Sequence, residues 1–369
     1  MPARRLRVLV LNPGSVTLKA TLLDHPDSEP GFDRTLEWGD DRAAGVREAL
    51  DAVEEAGFAS ASIDAVGYRV VHGGERFTSP VVVDASVVDA IESLEDLAPL
   101  HNPPATDAMR ATLEAIPGAT HVAAFDTSFH ASLPEAARRY PVPDEWRTEW
   151  GVRRYGFHGL SVQWSVRRTA ELLDRPPESL RLVVAHLGGG SSVTAVDGGR
   201  SAFTSMGLTP LEGLMMATRS GSIDPGAIIR VLRAGRSVED VADDLEHRSG
   251  LLGVSGRSGD MRELLRAAAA GDDRATLAIE MFVRRAAAGI AVAATALTVV
   301  DAIVFTGGIG ENAAPVRERI TRRLATLSVK PAAGEGDGDS VLDVGPPAIL
   351  RIHAREDLVI CDAAADLIA

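Results

Sequence analysis

Cysteine is nearly absent: Cys361 is the only one in 369 residues. No intrachain disulfide and no cysteine-rich metal site can form. Aromatic residues are scarce, at 4%, so a ligand ring finds few stacking platforms. Basic residues are outnumbered, 38 against 52 acidic ones, for a net charge of −14. An acidic chain repels phosphate backbones unless a local basic patch overrides that field, which argues against nucleic acid as a partner. Long hydrophobic runs are missing too. The apolar run ending at Asn12 is too short for a signal-peptide core. Residues 286–300 form a weakly apolar stretch too short to span a bilayer. It reads as a buried core helix, and the chain as a cytoplasmic protein with no membrane partner. Several signatures are also missing: the P-loop, a third glycine after Gly308-Ile309-Gly310, the protein-kinase set, the Gly-x-Ser-x-Gly elbow and any zinc spacing.

What is there begins with glycine, 35 residues against a usual share of ~7%. Hydrophobic and charged shares, 45% and 24%, are those of a globular protein. At roughly 150 residues per domain the length suggests two domains. Residues 8–11 read as a strand, 12–15 as a tight turn and 17–23 as a second strand. The same design recurs at 182–197. Apolar strands running into Gly-Gly turns occur at 65–74 and again at 302–310. Hairpin, helix and strand-Gly-Gly therefore appear once in each half, which suggests duplicated α/β domains facing a cleft. Helices are predicted over 45–57, 87–97, 263–270 and 274–300, and a rigid break at 100–104. A strand or strand-turn is predicted over 351–361.

Four Gly/Ser turns stand at strand ends, at 12–19, 72–75, 188–192 and 307–312. Such turns aim backbone N–H groups into a concavity that suits phosphate oxygens. Arg69 lies inside the apolar run 66–71, and Arg219 among small and apolar residues. A charge there is costly unless paired. Each suits a structural ion pair, or the neutralisation of a transferring phosphoryl group. Asp126 follows a buried strand and Glu356 precedes the predicted one; both suit Mg²⁺, which takes one or two protein oxygens plus phosphate. Asp126 equally suits a helix cap. His101 and His158 are loop histidines that carry no assignment alone.

Taken in order, these stretches resemble the acetate kinase family. The matches include Asn12-Pro13-Gly14-Ser15 with Lys19, Arg69-Val70-Val71-His72-Gly73-Gly74-Glu75, and Pro99-Leu100-His101-Asn102-Pro103-Pro104. They continue through Phe125-Asp126-Thr127-Ser128, Arg154-Tyr155-Gly156-Phe157-His158-Gly159 and His186-Leu187-Gly188. Ser205-Met206-Gly207-Leu208-Thr209-Pro210-Leu211-Glu212-Gly213, Thr218-Arg219-Ser220-Gly221 and Thr306-Gly307-Gly308-Ile309-Gly310-Glu311-Asn312 complete them. The resemblance implies two duplicated actin-like (ribonuclease H-like) domains, here 1–128 plus 357–369 and 129–356, and a homodimer. It implies reversible phosphoryl transfer between ATP and acetate, giving ADP and acetyl phosphate, with Mg²⁺ or, in its place, Mn²⁺.

The resemblance also implies roles. Asn12 and Glu356 would hold the metal, and Asp126 would align the reacting group or polarise the metal-bound water. Arg69 and Arg219 would hold the acetate carboxylate and the transferring phosphoryl, to which His158 would donate. Val71, Leu100, Phe157 and Pro210 would line an apolar pocket for the methyl group. Lys19, His186, Gly188, Gly190, Asp260, Arg262, Gly308, Ile309, Gly310 and Asn312 would handle the nucleotide. The chain departs from the family at Tyr68 and Val162, where histidines are usual, and at Gly189, where asparagine is. Thr17, Ser222 and Arg355 depart as well. Two further readings stay open: a kinase preferring propionate or butyrate, and a catalytically weak ATP-binding switch.

Overall fold

Four consecutive apolar residues, Val8 to Leu11, cannot alternate between core and solvent, so they require a strand covered on both faces. That strand is β1 (Leu6–Pro13). In this computed structural model, residues 5–14, 16–39, 41–99, 101–334, 336 and 338–368 are described. The chain divides into two units, Met1–Ala131 with Arg355–Ala369, and Ser132–Ala354.

In the first unit β1 pairs antiparallel with β2 (Thr17–His25), which pairs with β3 (Phe32–Glu37). On its other side β1 runs parallel to β4 (Ala65–Val70). Beyond β4 the short edge strand β5 (Val81–Val82) lies antiparallel on β6 (Thr120–Phe125), itself parallel to β4. Helices α1 (Arg42–Glu55), α2 (Ala85–Glu92) and α3 (Asn102–Ala115) connect these strands. Leu9, Leu11, Val66, Tyr68 and Val70 share one core with residues of α1 and α3. The break expected at 100–104 is the start of α3: Pro103 and Pro104 occupy its first turn, where a missing N–H costs nothing.

The second unit opens with α4 (Glu135–Arg138), α5 (Asp144–Trp150) and α6 (Gly159–Leu173). Its meander is β7 (Arg181–Leu187), β8 (Ser191–Asp197) and β9 (Arg200–Thr204), all antiparallel. A helical insertion follows: α7 (Pro225–Arg233), α8 (Val238–His247), α9 (Gly250–Ser255), α10 (Met261–Ala269) and α11 (Asp273–Ala294). Then come β10 (Ala302–Thr306), α12 (Gly307–Asn312), α13 (Ala314–Arg323), β11 (Ser340–Asp343) and β12 (Ala348–Arg351). The two sheets are ordered β3-β2-β1-β4-β6-β5 and β9-β8-β7-β10-β12-β11. They correspond strand for strand, with the same parallel and antiparallel pairings. The chain is thus α/β with duplicated domains of the ribonuclease H-like kind.

Several expectations change. Residues 351–361 are not a strand: β12 ends at Arg351, and α14 (Glu356–Ile368) returns to pack on β1, β4 and β6. Its run of buried residues, Leu358 to Cys361, presents a broad face to the sheet, and a short apolar run does not distinguish strand from helix. Gly67 lets it approach, since a Cβ there would lie 2.5 Å from Ile360 Cγ2. The unit division therefore falls at 354/355, and Glu356 joins the first unit instead of ending the second. The Gly-Gly turn at 307–310 is the helix α12, and α11 stops at Ala294, short of 300. Among the described residues no helix is long and apolar enough to cross a membrane.

Candidate active site

Side chains alternate along β4. Val66, Tyr68 and Val70 enter the core, so Arg69 takes the opposite face, where α14 packs. There its guanidinium meets two carboxylates. Nε and Nη2 donate to the two oxygens of Asp126 at 3.1 and 2.7 Å, and Nη1 lies 3.0 Å from Glu356 Oε2. Asp126 is only 1% exposed. Burial pulls the Arg69 pKa down, but Asp126 and Glu356 outweigh that and hold it above its ordinary value. Glu356 moves the other way for a carboxyl. Burial raises its pKa most, Asp126 and Asp357 add to that, and Arg69 opposes it.

Asn12 stands near the end of β1, opposite Lys19 on β2. It is a strand residue, because β1 continues to Pro13; the expected turn is shorter, closed by Gly14 N–H donating to Thr17 O at 2.7 Å. Leu11 faces the core opposite Tyr68, so Asn12 shares the Arg69 face. Lys19 pairs with Asp33 at 3.2 Å. The turn after β4 is held by reciprocal bonds between the His72 backbone and the Asn102 amide, and by Gly73 N–H on Thr127 Oγ1. Val71 is half-buried at its start. Leu100 lies outside the described residues. Tyr68 points away from Arg69 and hydrogen-bonds His121 Nδ1 at 2.5 Å and Thr112 Oγ1, so this departure from the family pattern falls in the core.

Two carboxylates on one guanidinium leave a net negative, hard-oxygen group, and the Asn12 amide adds a neutral oxygen on the same face. That donor set fits Mg²⁺. Among the described residues no cluster of three or more His, Cys, Asp or Glu side chains could hold a metal alone. Mg²⁺ shared with phosphates does not need one. One consequence concerns pH. A carboxyl whose folded pKa is raised stabilises the fold below its unfolded pKa, and that contribution is lost as pH rises through the folded value. Glu356→Gln mimics the protonated form. In metal-free buffer it should melt above the parent at neutral pH, with the gap closing on acidification. A lower melting temperature at neutral pH would mean that Arg69 more than offsets the burial cost.

In the second unit His158 precedes α6 with a left-handed backbone, φ 58° and ψ 24°, a conformation uncommon outside glycine. Its Nδ1 lies 2.9 Å from Ser192 Oγ, and its ring stacks on His186 at 4.1 Å between centroids. His186 Nδ1 is 2.8 Å from Ser161 Oγ. Both hydroxyls therefore grip the same ring atom and fix the imidazole orientations. Gly190 completes this corner. A Cβ there would lie 3.2 Å from His158 Nε2 and 3.7 Å from Arg219 Nη1. Arg219 reaches the Pro210 carbonyl at 3.5 Å. Burial lowers its pKa, and Glu246 opposes that. Phe157 is buried.

Beside this corner opens a cavity of about 770 Å³, lined by Gly188, Gly189, Gly259, Asp260, Met261, Arg262, Leu265, Gly308, Ile309, Asn312, Ala313 and Pro315. It holds no aromatic side chain. Asp260 caps α10 through the Arg262 N–H at 2.7 Å and pairs with the Arg262 guanidinium at 2.6 Å, which takes its pKa down to about 2. Asn312 Nδ2 donates to Gly308 O. Of the nucleotide residues expected, Lys19, His186 and Gly190 do not line the cavity, and neither does Gly310. As part of α12 it turns inward, 3.6 Å from Ala185 O at its Cβ position. Ser192 was read only as part of the turn at 188–192, and Ser161 and Glu246 escaped the sequence reading. Ser161 did carry a signal, three residues after His158 at helical spacing.

The model of the acetokinase family matches residues 33–362. The chain belongs to the acetokinase family. Among its acetokinase relatives, the acetate kinase of Deinococcus radiodurans is 45% identical over 95% of this chain and 96% of its own. The solved acetate kinase of Porphyromonas gingivalis superposes with a TM-score of 0.90 at 32% identity, covering 99% of this chain and all of that one. A solved propionate kinase of Francisella tularensis gives 0.87 at 35% identity, covering 97% and 98%.

Gly189, a departure from that family pattern, lines the cavity of the second unit. Nothing lies within 4 Å of its Cβ position, so Gly189→Asn should fold normally. The added amide should lower the KM for ATP several-fold with little change in the KM for the acid. An unchanged or raised KM for ATP would show that the missing side chain is immaterial there. Val162, where a histidine is usual, is fully buried on α6.

Proposed function

We propose that the protein is an acetate kinase, moving the γ-phosphoryl of ATP reversibly onto the acetate carboxylate in one in-line step. What carries the reading is that a chain similar to acetate kinases along nearly its whole length retains both arginines and their surroundings. Carboxylate and phosphate are both anions, so bringing them together needs cations. Arg69 is assigned to the carboxylate and Arg219 to the transferring phosphoryl, with His158 donating to its oxygens. Their placement in stiff surroundings supplies orientation, which is most of what a loose phosphoryl transition state asks of a protein. Asn12 and Glu356 would hold Mg²⁺, which when bound neutralises phosphate charge. Asp126 keeps Arg69 aimed through its two-point contact. Val71 and Pro210 are assigned to the methyl group, and the cavity of the second unit to the nucleotide.

The acceptor is a carboxyl group in either of two versions. Similarity to a propionate kinase favours the second, a preference for a longer acid. One methylene in an apolar pocket is worth only ~1–3 kcal/mol. Trapping acyl phosphates with hydroxylamine across acetate, propionate and butyrate decides between them: kcat/KM should be highest for acetate. A higher value for propionate would move the name. A cytoplasmic location and a homodimer belong to the same reading. Helix α7, with no buried residue and with Ile229 and Val231 nearly half exposed, is a face that a second copy would cover.

A further inference from the structure

Between β9 and the Arg219 loop, residues 205–213 have no regular secondary structure. Their backbone groups therefore need partners from elsewhere, and one polar network supplies many of them. Arg154 Nη1 donates to Ser205 O at 3.1 Å and Met206 O at 2.9 Å, and Nη2 to Glu212 Oε1 at 2.8 Å. The other Glu212 oxygen accepts the Tyr140 hydroxyl. That hydroxyl accepts the Leu208 N–H at 3.0 Å. Tyr155 N–H donates to Gly207 O at 3.0 Å, and the Arg154 guanidinium lies 5.3 Å from the Tyr140 ring centre. Glycine at 207 leaves room for this network, since a Cβ there would meet Glu212 Oε2 and Tyr140 Oη.

The far end is tied as closely. Gly213 N–H donates to Ser222 Oγ at 3.1 Å, and Ser222 N–H to Gly213 O at 2.9 Å. Between the two ties sits Pro210, whose carbonyl accepts Arg219 Nη1. The Arg154 side chain is 13% exposed, and burial raises the Tyr140 pKa above its ordinary value, so the phenol remains a donor. None of residues 205–213 lines the nucleotide cavity.

We propose that Arg154, Glu212 and Tyr140 are positioning residues for the acid: they fix residues 205–213, and so set where Pro210 meets the methyl end of the acceptor. This rests on the assignment of Pro210 to the methyl pocket. A shift near 1 Å in such a group can cost ~100-fold in rate. The nucleotide is held by other residues, so the effect is confined to the acid.

Glu212→Ala frees Arg154 and Tyr140 together. The expected result is an acetate KM raised at least tenfold, a reduced ratio of acetate to propionate kcat/KM, and an ATP KM within twofold of the parent. Glu212→Gln keeps an acceptor and should recover most of the acetate KM, which a role through charge alone would not give. Tyr140→Phe removes one oxygen, should show the same effect at about threefold, and decides the matter if Glu212→Ala fails to fold. Unchanged acid selectivity in folded Glu212→Ala, or equal rises in both KM values, overturns the inference. Pro210→Ala is measured beside it. If that variant leaves acid selectivity unchanged, the methyl-pocket assignment falls, and the proposal with it. If it changes selectivity while Glu212→Ala does not, only the network role falls.

Discussion

Arg219→Ala is expected to lower kcat by about 10³-fold or more, the scale of removing an arginine that stabilises a phosphoryl transition state. Its unfolding free energy should change little. The reason lies in how this cation is held. Burial lowers its pKa, and the opposing influence is Glu246. A side chain kept at such a cost stabilises the fold weakly, and removing it returns much of the desolvation penalty. Steady-state kinetics beside denaturant unfolding make the test. Near-parent turnover would remove Arg219 from the chemistry, and a loss of several kcal/mol would make it a structural ion-pair partner.

Arg69→Ala should fail in a different way. It too abolishes turnover, but it also leaves Asp126, 1% exposed, and Glu356 facing each other with no guanidinium between them. Breaking a buried pair by removing one partner typically costs ~3–5 kcal/mol. Arg69→Lys keeps the charge and loses the two-point grip on Asp126. It should recover part of the stability and little of the activity. Equal stability of parent and Arg69→Ala would mean that the carboxylates are protonated or separated in solution. The two arginines, indistinguishable as buried charges in a sequence, are thus separated by their partners: one neutralised by two carboxylates, the other held near a carbonyl and a histidine pair.

Much of this was legible beforehand. The repeated hairpin and strand-Gly-Gly order foretold two equivalent sheets, because both signals are local in the chain. The family motifs named Arg69, Asp126, His158 and Arg219. Partnerships were not legible. Glu356 meets Arg69 only because α14 crosses back to the first sheet, and its Leu-Val-Ile run reads equally well as a strand. Tyr68 departs from the family pattern next to Arg69 in sequence, and strand alternation turns it into the core with Thr112 and His121. The Arg154–Glu212–Tyr140 network joins residues 58 and 72 positions apart, at no spacing that periodicity marks. Gly310 belonged to a matching motif, yet the helical turn of α12 directs it away from the cavity.

The most direct test of the central claim is ³¹P NMR of the protein with ATP, Mg²⁺ and acetate. The account predicts an acyl phosphate resonance growing with ADP, and ATP re-forming when acetyl phosphate and ADP are supplied. Inorganic phosphate as the sole new product, or bound ATP left intact with every short-chain acid, would contradict it.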